Sequence, residues 1–324
     1  QVCGERMSLS SWEILPRLPE AELSRICGEG LTPLVAQLLY NRGITSPVQI
    51  EPFLTADERL LHDPFLLPDM EKAVARVYRA LLSGEAIAIY GDFDADGITA
   101  TTLLVEGLSA LGGYVIPYIP HRADEGYGIN DAALDRLAKQ GIKLVVTVDC
   151  GITAIEEVEV AKQLGLDIVI TDHHTVPAQI PSAIAVVDAK RDESRYPFPE
   201  LAGVGVAYKL LQALYRSIGK EGDIDAYLDL VALGTVADMV SLLGENRYLV
   251  KKGLDVLHNT QRPGLEEIAR CAGVPISSVD SETISWILAP RINAAGRLDH
   301  AGIGYHLLTT SSSDEAKRLA ALLE

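Results

Sequence analysis

The chain has 324 residues, enough for two domains at roughly 100–200 residues each. With 48% hydrophobic and 23% charged residues it reads as a folded globular protein, and its four scattered cysteines contain no CxxC pair, which excludes a zinc ribbon or a disulfide framework. The formal charge of −17 argues against a surface built mainly to hold polyanions, an objection weakened if carboxylates take up divalent cations or if a basic face lies apart.

Residues 1–70 read as an N-terminal helical cap: short amphipathic helices, 20–26 and 34–40 among them, joined by turn-rich stretches such as NRGITSP. No apolar run approaches the roughly 18–20 residues needed to cross a bilayer, and the N-terminus lacks a basic stretch followed by an apolar one. A cytoplasmic protein with no membrane contact is expected.

From residue 71 the pattern alternates. A helix over 71–82 leads into an apolar strand at 86–90, a second helix at 98–111, a strand at 114–118, and a helix at 131–140 with Asn130 as its N-cap. Strands at 144–148, 167–170 and 183–187 follow, with a helix at 154–164 between the first two. Continuous apolar strands separated by helices predict a doubly wound, mainly parallel α/β sheet covered on both faces. After Gly203 the chain reads as helical. The expected division is a cap at 1–70, a catalytic α/β domain at 71–245, and a helical region at 246–324. The last segment, SSSDEAKRLAALLE, starts well at Ser313 and shows no C-cap, as if a connecting helix were truncated.

The first strand runs into GDFDADG, which carries Asp92, Asp94 and Asp96. Three carboxylates within five residues repel one another, and near a strand end they call for cations. Oxygen-only ligands suit hard ions such as Mg²⁺ or Mn²⁺. A calcium loop of the EF-hand type is disfavoured, since its twelfth position, normally glutamate, is Leu103. Two more strands end in the same way, LVVTVDCGIT at Asp149 and DIVITDHH at Asp172, His173 and His174. In open α/β sheets ligands gather beyond the carboxyl ends of the strands, so these groups should converge on one edge. Each alone could be a helix cap or a turn residue. A fourth acidic element, VALGTVADMVSL, places Asp238 in a small-residue turn after an apolar helix at 226–233.

GDFDADG (91–97), VDCGIT (148–153), TDHH (171–174) and GTVADM (234–239) resemble, in order, the four motifs of the DHH phosphoesterase superfamily. PHRADEGYGIN (120–130), APRINAAGRL (289–298) and NRGITSPVQIEPFL (41–54) resemble the RecJ branch, bacterial single-strand-specific 5′→3′ DNA exonucleases, so that the likeness covers nearly the whole chain. The resemblance implies a two-ion centre of Mn²⁺ or Mg²⁺ held by Asp94, Asp96, Asp149, His173 and Asp238, with Asp149 as the bridge. It makes His174 a catalytic neighbour and Asp92 an orienting carboxylate or additional ligand. Many small-substrate relatives carry a histidine four residues before the first ligand of this loop. Here that position is Tyr90, and one ion is expected to be bound more weakly.

No side-chain nucleophile is needed for two-ion phosphoester hydrolysis, and no Walker A, GxSxG or HExxH motif is present. Arg291, with Asn293 and Arg297, is the candidate for the scissile phosphate, Arg122 for a terminal 5′ phosphate, and Tyr127 for stacking on a base. Three readings stay open: removal of 5′ mononucleotides from single-stranded DNA in repair and recombination; hydrolysis of cyclic dinucleotides, short oligonucleotides or pyrophosphate; and an inactive DNA-binding scaffold, which the intact ligand set argues against. The resemblance also implies a monomer that works with a single-strand-binding protein and a helicase. The glycine-rich GGGH-like motif of the family's second domain is not found in the sequence, so weaker DNA binding than by a full enzyme is expected.

Overall fold

The computed structural model describes residues 14–27, 30–121, 125–298 and 302–324, with the side chains of 296–298 left out. The chain falls into two compact units, one ending at Arg59 and one spanning Leu60–Glu324. No described helix is long and apolar enough to cross a membrane.

The first unit holds three short helices: α1 (Glu20–Cys27) and α2 (Pro33–Tyr40), close to the positions expected, and α3 (Pro47–Thr55), for which the sequence pattern set no bounds. Thr32 caps α2 by accepting from Val35 N. Proline sits in the first turn of α2 and of α3, where its missing N–H costs nothing. Ile26, Ala36, Leu39, Ile50, Pro52 and Phe53 are buried residues of these helices.

In the second unit α4 (Met70–Ser83) ends at Gly84, whose φ of 63° closes the helix and turns the chain into the sheet. Five strands follow: β1 (Ala86–Gly91), β2 (Tyr114–Tyr118), β3 (Leu144–Val148), β4 (Asp167–Thr171) and β5 (Ala185–Val187). All pair in parallel, in the order β2-β1-β3-β4-β5. The helices α5 (Ala95–Ala110), α6 (Asp131–Lys139) and α7 (Ile155–Gln163) connect the first four strands, and the α/β prediction holds.

The pleat divides each strand between two cores. Ile87, Ile89, Val146 and Val169 face a core that includes residues of α4 and α5. Ala88, Tyr90, Val145, Ile168 and Ile170 face another, built with Ala133, Leu134 and Leu137 of α6 and Val158 and Ala161 of α7. Both faces are therefore covered, which is why the strands read as unbroken apolar runs rather than alternating ones.

The C-terminal helices are α8 (Gly203–Ser217), α9 (Leu228–Ala237), α10 (Gly244–Leu257), α11 (Pro263–Cys271), α12 (Ser281–Thr283), α13 (Ala289–Leu298), α14 (Gly302–Thr309) and α15 (Ser313–Leu322). Leu211, Leu233, Leu249, Ile268, Ile292, Leu307 and Leu319 from this region belong to the same core as Ile87 and Ile89. A π-helical turn, Ile284–Leu288, joins α12 to α13.

Three local expectations are corrected. The helix after β1 begins at Ala95, not at residue 98, because the Asp94 side chain caps it. Helix α9 runs on through GTVA, so Asp238 is its C-cap residue rather than part of a separate turn. Helix α15 is capped at its start by Ser312 rather than Ser313 and closes at Leu323, which donates its N–H to the Ala320 carbonyl.

Candidate metal centre

The strand register builds the centre. Gly91 pairs with Val148, Val148 with Thr171, and Thr171 with Val187. The next residue on each of these four adjacent strands is an aspartate: Asp92, Asp149, Asp172 and Asp188. Strand order reverses between β1 and β3, the switch point at which doubly wound sheets open a crevice.

Each ligand candidate is fixed by its backbone surroundings. Asp94 Oδ1 accepts from the N–H groups of Asp96 and Gly97, both at 3.0 Å, so the same carboxylate caps α5. A Cβ on Gly97 would stand 2.5–2.7 Å from the Asp92 backbone, and only glycine allows this turn. Asp96, in the first turn of α5, is 1% exposed; its two oxygens accept from Gly203 N at 2.7 Å and Val204 N at 2.8 Å, at the start of α8. Asp149 adopts φ 60°, a left-handed conformation that is costly for a non-glycine residue and points to a functional constraint.

These groups meet. His173 Nε2 lies 3.0 Å from Asp149 Oδ1, 3.7 Å from Asp238 Oδ2 and 4.0 Å from Asp96 Oδ2. Three sets of ligand atoms lie within 4.8 Å of one another: Asp92, Asp94 and Asp149; Asp96, His173 and Asp238; and Asp149, His173 and His174. Asp149 belongs to two of the three. Asp149 Oδ1 and His173 Nε2 are buried and make no hydrogen bond. A protein does not ordinarily leave such atoms without a partner, and the oxygen–imidazole donor set fits Mn²⁺ or Mg²⁺.

The electrostatics agree. Burial, reinforced by Asp238 and Asp94, pushes the Asp96 carboxyl well above the carboxylate range, and burial, reinforced by Asp96 and Asp94, does the same to Asp149. Burial and then Asp94 raise Asp238 to about 6. Burial and the neighbouring His174 lower His173 to about 4, keeping its imidazole neutral and able to donate a lone pair. The cluster cannot carry its full negative charge without compensating cations.

His174 has a separate anchor. Its Nδ1 lies 2.7 Å from Asp172 Oδ1, and this hydrogen bond raises the imidazole above its ordinary value. Asp172 stays below the usual carboxylate range despite burial, because it also accepts from Ile152 N and from His174 N. On its other side, Nε2 faces the Tyr127 hydroxyl at 3.5 Å, while the Tyr127 ring is 55% exposed.

The remaining predicted residues divide. Asn293 reaches the first loop, but with Oδ1 accepting from Ala95 N at 2.7 Å. Arg291 pairs with Glu324 at 2.6 Å and donates to the Ile287 carbonyl. Arg122 and the Arg297 side chain lie outside the described residues.

The sequence places Asp172 at the converging edge without indicating its role, and the parts played by Asp188, Lys190, Gly203 and Gly234 emerge only in the fold. Lys190 Nζ donates to the His173 carbonyl at 2.5 Å. Asp188 is fully buried with Oδ2 unpartnered, and burial raises it to about 7. It follows an apolar strand as Asp149 does, so the same strand-end signal marks it. A Cβ on Gly203 would stand 2.5 Å from Asp149 Oδ1, and one on Gly234 2.9 Å from Asp96 Oδ1. Gly234 opens the GTVADM motif, whereas no sequence signal distinguishes Gly203 among 27 glycines.

A doubly wound α/β sheet with carboxylates and an imidazole gathered at its switch point defines the class: a protein equipped for hard divalent cations. Residues 86–235 match the DHH family, N-terminal domain. The chain is similar to the single-stranded-DNA-specific exonuclease RecJ of Bacillus subtilis, 42% identical over 315 residues, covering 97% of this chain and 39% of that one. It is 36% identical over 311 residues to RecJ of Escherichia coli, covering 91% and 52%. The crystal structure of RecJ in complex with Mn²⁺ from Thermus thermophilus matches with TM-score 0.82 and 33% identity, covering 96% of this chain and 44% of that one. A crystal structure of exonuclease RecJ bound to manganese matches with TM-score 0.74 and 38% identity, covering 82% and 66%. The chain thus spans about half, or less, of the curated relatives it matches.

Proposed function

We propose that this chain is the catalytic core of a metal-dependent exonuclease that removes 5′ mononucleotides from single-stranded DNA in the 5′→3′ direction, in repair and recombination. The observation that carries this reading is the meeting of Asp149 Oδ1 and His173 Nε2, buried and without hydrogen bonds, among Asp94, Asp96 and Asp238. Similarity to single-stranded-DNA-specific exonucleases over 97% and 91% of the chain supplies the substrate class.

Asp94, Asp96, Asp149, His173 and Asp238 would hold two ions of Mn²⁺ or Mg²⁺, with Asp149 shared and Asp92 as a further ligand or orienting group. Bound ions of this type supply an activated water and neutralise phosphate charge. Tyr90 gives its hydroxyl to Gly128 O instead of the centre, which supports weaker binding of one ion. His174 is held by Asp172 with Nε2 toward the open side, where it can give a proton to a phosphate or leaving-group oxygen. Tyr127 offers an exposed ring for a base. Arg291, Arg122, Arg297 and Asn293 are the proposed phosphate contacts. The functional division into 1–70, 71–245 and 246–324 belongs to the same proposal, as do a cytoplasmic monomer and cooperation with a single-strand-binding protein and a helicase.

A small-molecule phosphoesterase is the competing reading, favoured by the net charge of −17. Incubation with Mn²⁺ and 5′- or 3′-labelled single-stranded DNA, beside cyclic dinucleotide and pyrophosphate controls, separates the two. Release of the 5′ label as mononucleotide, lost in Asp149→Ala, is expected. Turnover of the small molecules alone would overturn the exonuclease reading.

A further inference from the structure

We propose that Tyr90 is a positioning residue: its buried hydroxyl pins the 125–130 loop so that the Tyr127 ring stands against His174 at the metal centre. The proposal rests on the exonuclease reading for its substrate, but its geometry stands alone.

Tyr90 is the last residue but one of β1 and is fully buried. Its side chain lies on the face of the sheet covered by α6 and α7, not on the face that carries α5. There it donates to the Gly128 carbonyl at 2.9 Å and accepts from Asn130 Nδ2 at 3.1 Å. Asn130 in turn caps α6, its Oδ1 accepting from Ala133 N at 2.8 Å. One hydroxyl thus ties the end of the strand that feeds the first aspartate loop to both the loop and the helix after it.

The rest of the loop is anchored at its ends, Glu125 accepting from His121 N at 2.8 Å and Ile129 buried in the core, which leaves the stretch 126–128 between them. Gly126 and Gly128 both have positive φ, 78° and 80°, and a Cβ at either would meet nothing within 4 Å. Tyr127 lies between them. Its ring packs edge-on against Phe93 of the aspartate loop, centroids 6.4 Å apart, and against His174 at 6.1 Å. Two glycines leave the backbone of 126–128 few barriers of its own, and the hydrogen bond to the Gly128 carbonyl ties that stretch to the strand beside the metal centre. The Tyr90 ring is held independently by stacking on Tyr118 at 4.9 Å, so Tyr90→Phe removes the tether and keeps the packing.

The test compares wild type, Tyr90→Phe, Tyr127→Ala and the double variant. Amide hydrogen exchange is read over 125–130, Mn²⁺ binding by calorimetry, and kcat and KM on a labelled single-stranded oligonucleotide. In Tyr90→Phe, exchange at Gly128 and its neighbours should rise severalfold and KM should rise about tenfold, the size of one lost buried hydrogen bond, with kcat and Mn²⁺ affinity nearly unchanged. The double variant should lose no more than Tyr127→Ala alone, because Tyr90 acts through Tyr127. Additive losses, an unchanged loop exchange, or a fall in Mn²⁺ affinity would each overturn the proposal; the last would put Tyr90 in the metal site. If wild type fails to cleave the oligonucleotide, the exonuclease reading fails, while the exchange arm still decides whether Tyr90 pins the loop.

Discussion

Asp149 Oδ1 stands 3.0 Å from His173 Nε2, and neither atom completes a hydrogen bond. A neutral imidazole beside a buried carboxylate would ordinarily turn to donate to it. Both residues belong to one set of ligand atoms that lie within 4.8 Å of one another, as two ligands of one cation would.

Removing one of them should uncouple stability from metal. Wild type at an Mn²⁺ concentration about 100 times its dissociation constant should gain about 2.7 kcal/mol. Asp149→Asn should gain little from Mn²⁺, yet its metal-free form should melt above metal-free wild type, since one repelling charge is gone. Thermal melts with and without Mn²⁺ check both outcomes, and equal Mn²⁺ shifts in the two proteins would refute the assignment.

Acid should weaken the centre near neutrality rather than near pH 4. Asp238 titrates at about 6, raised by burial and by Asp94, and must lose its proton to bind a cation. Mn²⁺ affinity should therefore fall between about pH 7 and pH 5. Calorimetric titrations at several pH values measure it, and a flat profile over that range would count against Asp238 as a ligand.

Asp188 gives a stability prediction of the opposite sign, with the fold favoured by acid. Its folded value of about 7 lies above the ordinary 3.8, so the native state holds its proton more tightly than the unfolded chain. Its contribution is present below about pH 4 and is lost as pH rises through 7. Asp188→Asn keeps the oxygen that accepts from Lys190 N and removes the unpartnered charge. At pH 8 it should stabilise the metal-free protein by roughly 1–3 kcal/mol, with little effect at pH 5, as read by denaturant melts.

Asp172→Asn addresses orientation. It weakens the hydrogen bond that holds His174 at 2.7 Å and leaves the other ligands in place. Activity should drop about 10–100-fold, with a smaller change in Mn²⁺ affinity. Steady-state kinetics beside calorimetry distinguish the two; loss of metal binding alone would make Asp172 part of the ion site instead.

Gly203→Ala tests the fit of α8 against the centre. The new methyl would stand 2.5 Å from Asp149 Oδ1, and the backbone N–H at the same residue holds Asp96. A loss of about 1–3 kcal/mol and of most Mn²⁺ affinity is expected. A variant that melts and binds Mn²⁺ like wild type would show that α8 can shift away.

Much of this protein is local. The strands at Ala86–Gly91, Leu144–Val148 and Asp167–Thr171 are legible because each is a short apolar run bounded by turn residues, and the aspartates that follow them stand out because charge seldom follows such runs. That Asp94, Asp96, Asp149, His173 and Asp238 form one ligand set is what the resemblance of their motifs to the DHH phosphoesterase superfamily implies. Helix starts were less legible. The Asp94 carboxylate caps its own helix three residues earlier than the apolar pattern indicates, and a side chain bonded to the backbone leaves no mark on periodicity.

Tertiary structure decided the rest, because it depends on which distant segments become neighbours. The order β2-β1-β3-β4-β5 and its register align Asp92, Asp149, Asp172 and Asp188 at one edge, a matter of non-local pairing. Only the packing of α8 against Asp149, and of α9 against α5 and α8, explains why Gly203 and Gly234 can carry no side chain. Only the fold shows that Tyr90, which in the motif looks like a lost ligand, turns its hydroxyl to the opposite face of the sheet and the Tyr127 loop. The sequence determined which groups can bind a cation, since that is set by side-chain chemistry. Their number, spacing and charge state at one point in space were set by the sheet, since those depend on burial and distance.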